Sequence, residues 1–301
     1  MLFLYVIITL FICLNLISLL LLSRAVHPKT IPLQTDFLQQ LEKGTVSQQE
    51  FNQWQKIPFT VQSDFGYALS GLCFPISQSH KTIILTHGFT STKFGMLKYV
   101  PLFRDLGFNV VIYDNRYHGE SGGKNTTFGF FEKLDLKKIV DWVFAELRDQ
   151  IQVGTMGESL GAAITLQHAA IDKRIDFAIA DSSFSNLPDL FRYRMRYDFR
   201  LPGWITLPLA SFWSRILHGF SFYSVNIVKM LSNGNPLPIL LIHGAVDKYV
   251  PPTMSETIFQ SIGTSAKKLE FFPDARHAQS INAHPQDYAK TVKEFLENFV
   301  G

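Results

Sequence analysis

The chain opens on one continuous apolar run. Between Leu2 and Leu22 only Thr9, Asn15 and Ser18 interrupt the hydrophobic side chains. As a helix this run rises about 31 Å, which matches the ~30 Å hydrocarbon core of a bilayer. It has no basic start, and Ser23-Arg24-Ala25-Val26-His27 is a poor cleavage site. The sequence therefore predicts an uncleaved transmembrane helix over residues 1–23 rather than a signal peptide. Residues 24–56 are polar and Gln-rich with scattered apolar positions. They predict a linker with one or two short amphipathic helices.

From residue 57 the pattern changes. Phe59–Val61 and Tyr67–Phe74 predict antiparallel opening strands around the turn at Ser63–Gly66. Short β-branched and aromatic runs then alternate with helical stretches. Strands are predicted at Thr82–Thr86, Val110–Tyr113, Gln152–Gly154, Phe177–Ala180, Ile239–Ile242 and Leu269–Phe272. Helices are predicted at Met96–Leu106, Lys133–Arg148, Leu160–Ala170, Thr253–Ile262 and Gln286–Phe299. This alternation predicts an α/β domain over residues 57–301, with a mostly parallel eight-stranded sheet flanked by helices.

The interval 184–236 breaks the rhythm, being far longer than one crossover needs. It is dense in aromatics, including Phe191, Tyr193 and Trp204, and carries six basic residues against Asp189 and Asp198. It predicts a short helical cap, with those three aromatics as candidate substrate contacts. The whole chain has a net charge of only +3, too small to argue for a nucleic-acid partner. Arg24, Lys29 and Lys43 follow the apolar run with no basic residue before it, which favours a cytoplasmic catalytic domain. Cys13 and Cys73 form no disulfide framework.

The chemistry centres on Gly157-Glu158-Ser159-Leu160-Gly161, placed between a predicted strand and a predicted helix. Small residues two positions either side of a serine permit the sharp turn that projects a hydroxyl nucleophile. A nucleophilic serine needs a base, and the base needs an orienting acid. His277 lies on the loop after the last predicted strand, and Asp247 on the loop after the one before. Asp181 competes for the acid role from one strand earlier, but capping the turn into Ser182-Ser183 explains it as well. His87, His118 and His243 precede or adjoin glycines at strand ends and read as structural hydrogen bonders. Backbone N–H groups of Leu160 and Phe89 are the expected oxyanion donors.

On these residues the chain resembles the α/β-hydrolase superfamily of serine hydrolases, in particular membrane-anchored members with a short cap. The matching motifs are His87-Gly88-Phe89, the run Tyr113–Gly123, the serine pentapeptide, His243–Asp247 and His277, in the family's order over about residues 57–300. Tyr117 departs from the pattern, standing where many relatives have glycine. The resemblance implies hydrolysis through an acyl-enzyme, with no metal or cofactor. The expected substrate is a small-molecule or lipid-like carboxylic ester. A serine peptidase, an acyltransferase or thioesterase, and a silent membrane-anchored binding protein are the alternatives.

Overall fold

The computed structural model describes all of the chain except residues 45, 148, 150, 201, 202 and 235. Arg148, the expected end of one helix, lies outside the described residues. Three helices come first: α1 (Leu2–Val26), α2 (Leu33–Glu42) and α3 (Gln48–Gln53). The strands are β1 (Ile57–Gln62), β2 (Ala68–Phe74), β3 (Lys81–Thr86), β4 (Asn109–Tyr113), β5 (Gln152–Glu158), β6 (Phe177–Asp181), β7 (Ile239–Gly244) and β8 (Lys267–Phe272). They form one sheet in the order β1-β2-β4-β3-β5-β6-β7-β8. β2 pairs antiparallel with β1 and β4, and every pairing from β4 to β8 is parallel. Every residue of β4 and β6 is buried, as apolar strands covered on both faces should be.

The crossovers are α4 (Val100–Asp105), α5 (Glu132–Glu146) and α6 (Leu160–Ala169). The cap holds α7 (Leu187–Phe199) and α8 (Gly203–His218), and α9 (Ile227–Ser232) returns the chain to the body. The fold closes with α10 (Thr253–Ser261), the short α11 (Ser280–Ala283) and α12 (Pro285–Phe299). The helix expected over Met96–Leu106 is split. A 3₁₀ segment, Lys93–Tyr99, precedes α4. Pro101 has no N–H to give a fourth-residue carbonyl, so the α-helical ladder starts only around it.

The segment expected to be a linker is part of the domain. α1 continues to Val26, past the expected boundary at residue 23, and Leu22 and Val26 enter the core. The Thr126 N–H donates to the Val26 carbonyl at 2.9 Å. Phe37 of α2 packs tilted against Phe94, Phe51 of α3 packs edge-on to it, and Trp54 packs edge-on to Phe74. The expected short helices are therefore present, but partly buried aromatics dock them against the core.

Candidate active site

β5 lies in the middle of the parallel sheet, and the chain leaves it through Ser159 at φ +56° and ψ −115°. A side chain is rarely held in that region without surrounding structure to enforce it. The enforcement comes from close backbone approach. A Cβ on Gly157 would lie 2.1 Å from the Gly161 carbonyl oxygen, and one on Gly161 1.9 Å from that of Thr86. Glycine at both positions lets α6 start directly against β3 and β5.

Asp247 and His277 follow β7 and β8, at the same edge of the sheet as Ser159. Gly244 makes their meeting feasible, since a Cβ there would come within 2.3 Å of the Ala275 carbonyl oxygen. His277 Nε2 lies 2.8 Å from Ser159 Oγ, and its Nδ1 lies 2.6 Å from Asp247 Oδ2. Burial pushes the Asp247 carboxyl up, but hydrogen bonds from His243 and His277 outweigh this and hold it well below the usual carboxylate range. Backbone N–H groups of Tyr249 and Val250 donate to Oδ1 at 2.7 and 3.0 Å. An ionised Asp247 accepts from Nδ1–H, which leaves His277 Nε2 as the acceptor facing the Ser159 hydroxyl.

Asp181 is elsewhere. It is fully buried, accepting from Tyr99, Tyr288 and Ser182 hydroxyls at 3.2, 3.1 and 2.9 Å. Burial, and then Glu158 nearby, raises its pKa. Its influence on the site is indirect. Ser182 Oγ accepts from the Ala278 N–H at 3.2 Å, beside His277. Lys98 holds the same turn by donating to the Ala278 carbonyl at 2.9 Å, and it also pairs with Glu158. Glu158, which the sequence leaves without a task, thus ties the elbow to the histidine loop. Lys98 has no motif to announce it, because only folding brings it to this turn.

The loop of the second expected oxyanion donor packs on the elbow: a Cβ on Gly88 would sit 3.4 Å from Ser159 Cβ. Phe89 follows on this loop, and Leu160 opens α6, where first-turn N–H groups have no intrahelical partner. Asp36 of α2 secures the loop. Its Oδ2 accepts from Ser91 Oγ, Thr92 N–H and Thr92 Oγ1 at 2.9, 2.7 and 2.9 Å. The Ile31 N–H also donates to the Thr90 carbonyl. His87 and His118 are buried hydrogen bonders, with imidazole pKa values lowered chiefly by burial. His243 instead contacts the Asp247 carboxylate at 3.1 Å and Ser255 Oγ at 2.6 Å. Tyr117 has φ +69°, a left-handed turn position where glycine costs less.

A cavity of about 230 Å³ lies over Ser159. Its walls come from the body (Phe89, Leu160), the cap (Phe191, Leu207, Ala210) and α1 (Leu21, Leu22, Ala25). Of the three aromatic candidates, Phe191 lines it. Tyr193 lies outside, donating to the Lys248 carbonyl at 3.1 Å, and Trp204 is turned out to the surface. The cap's basic excess is partly spent locally, since Arg192 and Arg194 pair with Asp189 and Asp198. Arg194 also lies 4.2 Å over the Tyr249 ring, which in turn packs on His277.

A family model described as alpha/beta hydrolase fold matches residues 81–212. The chain is 36% identical over 252 residues to the protein YqkD of Bacillus subtilis, covering 83% of this chain and 82% of that one. It is 26% identical to the membrane protein YNL320W of Saccharomyces cerevisiae, over 64% of this chain and 62% of that one. Among solved structures, an esterase from Pyrococcus furiosus superposes with a TM-score of 0.69 at 27% identity, covering 82% of this chain and 92% of the esterase. With its sheet order, its glycine-framed serine and these likenesses, the chain belongs to the α/β-hydrolase superfamily.

Proposed function

We propose that this protein is a serine hydrolase of carboxylic esters, anchored in a membrane by α1. The carrying observation is the unbroken contact from Ser159 Oγ through the His277 ring to Asp247, at the floor of an apolar cavity. Ser159 attacks the ester carbonyl as its proton passes to His277 Nε2, while Asp247 stabilises the imidazolium. The Leu160 and Phe89 N–H groups receive the oxyanion. His277 returns the proton to the leaving alcohol, and water activated at the same nitrogen then hydrolyses the acyl-enzyme.

The cavity supports one acyl chain as the bound group. Its interior is aliphatic and aromatic, whereas Arg24, Arg194 and Asp198 contribute polar groups to its lining. At about 230 Å³ it is below the ~300–1,000 Å³ that a drug-sized ligand occupies. A peptidase site for a free amino terminus would want an unpaired carboxylate. The one carboxylate in this lining, Asp198, is bound to Arg194. The test is a series of p-nitrophenyl esters of rising chain length beside aminoacyl p-nitroanilides. Esters should be hydrolysed, with kcat/KM rising and then falling as the chain outgrows the cavity, and Ser159→Ala should abolish turnover. Preference for the anilides, or wild-type turnover by Ser159→Ala, would overturn the reading.

A further inference from the structure

The outer face of α8 has the wrong chemistry for water. Trp204, Pro208, Phe212 and Ile216 recur every four residues along its exposed side, and Leu217 adjoins them. The exposures are 73% for Trp204, 55% for Phe212 and 57% each for Ile216 and Leu217. Arg215 is the one charged residue on this helix. A helix covering a soluble domain would turn polar residues outward. A contiguous apolar stripe instead marks a surface that something apolar covers.

The covering phase is identified by the neighbour of α8. α8 packs on α1, whose Ser18, Leu22 and Val26 form its buried stripe. The Trp213 indole N–H donates to Asn15 Oδ1 at 2.9 Å, and the Asn15 amide donates to the Phe11 carbonyl at 2.9 Å. The polar interruption of the apolar run is thus satisfied within the protein. Asn15 lies seven residues before Leu22, so the bond to Trp213 sits about 10 Å in from the end of the apolar run. If all of Leu2–Leu22 is in hydrocarbon, the part of α8 at this level is below the membrane surface as well. That depth agrees with the ~5–10 Å reached by amphipathic helices lying in the headgroup boundary. Leu16, Ile17 and Leu20 of α1, the helix on which α8 packs, are also exposed and apolar.

We propose that α8 is a second membrane-contacting element, its Trp204–Ile216 stripe lying in the lipid interface beside α1, and that the cavity beneath takes its acyl chain from the bilayer. The geometry supports this route, because Leu21, Leu22 and Ala25 of α1 and Leu207 and Ala210 of α8 wall that cavity. The inference rests on the membrane-anchor and esterase readings.

The experiment uses the full chain in phosphatidylcholine vesicles, with and without dibrominated acyl chains. The emission of Trp204, taken as the difference between wild type and Trp204→Phe, should fall at least twofold on bromination. Unchanged Trp204 emission would overturn the proposal, and a cross-linked dimer in the same sample would assign the stripe to a second copy. The Phe212→Asp/Ile216→Asp variant changes only exposed positions. It should hydrolyse p-nitrophenyl acetate in water within twofold of wild type, but a long-chain ester in the vesicle at least tenfold more slowly. Equal rates on the vesicle ester would overturn the bilayer route. Failure of the protein to float with the vesicles would sink the anchor reading and the proposal together. A wild type that floats with quenched Trp204 yet cleaves neither ester would instead remove the esterase reading, leaving the docking surface in place.

Discussion

Ser159 is held at φ +56°, a backbone state that costs a non-glycine residue on the order of 1–3 kcal/mol. Glycines at 157 and 161 supply the room, and this was legible in the sequence because only glycine fits there. The choice of acid was less legible, since Asp181 and Asp247 both follow strand ends and spacing cannot tell which carboxylate faces the imidazole. The structure brings Asp247 to His277 and buries Asp181 among tyrosines. Asp247→Asn should therefore lower kcat by about 10⁴-fold with KM little changed, by favouring the wrong His277 tautomer. Asp181→Asn should cost much less. Steady-state kinetics on one ester distinguishes the two. A different carboxylate carries a pH signature. Asp135 is raised to about 6 by burial, although Ser63 and Tyr67 hydroxyls at 2.5 Å partly offset this. The folded state then holds this proton more tightly than the unfolded chain, so stability falls as pH rises from about 4 to 6. The cost of ionising Asp135 is about 3 kcal/mol once pH exceeds this window. Asp135→Asn should flatten that dependence in denaturant titrations across the window.

At the level of elements, the sheet was readable because strands buried on both faces write themselves as short apolar runs. The amino-terminal segment was not. Its helices α2 and α3 look like a polar tether, and the few apolar residues that dock them, Phe37, Phe51 and Trp54, are too sparse to reveal a packed surface. What α2 does for the site was equally hidden. Asp36 is one acid in a Gln-rich stretch, yet it fixes Ser91 and Thr92 on the loop that carries Phe89. Removing it leaves buried donors without a partner, at about 1–3 kcal/mol. Asp36→Ala should lower the melting temperature and reduce kcat by about tenfold or more, with a smaller change in KM, since an oxyanion donor acts in the transition state. A variant with unchanged kcat would detach α2 from catalysis.

Across the whole molecule, α1 joins the two halves of the problem that the sequence leaves separate. It is long and apolar enough to cross a membrane, and it also contributes a wall of the cavity over Ser159. Asn15 and Ser18 are the trace of this second role, because polar residues in an apolar run mark the side that meets protein. The trace was too slight to read without α8 in place. The cap's aromatics were similarly ambiguous: Phe191 faces the cavity while Trp204, on the next helix, faces out. The esterase reading depends on Ser159 being a nucleophile activated by His277. The most direct measurement is the intact mass and peptide map of the full-length protein after reaction with a fluorophosphonate. The expected result is one covalent adduct on Ser159, lost in Ser159→Ala and formed far more slowly in His277→Ala. An adduct on another residue, or labelling of Ser159→Ala at the wild-type rate, would contradict the account.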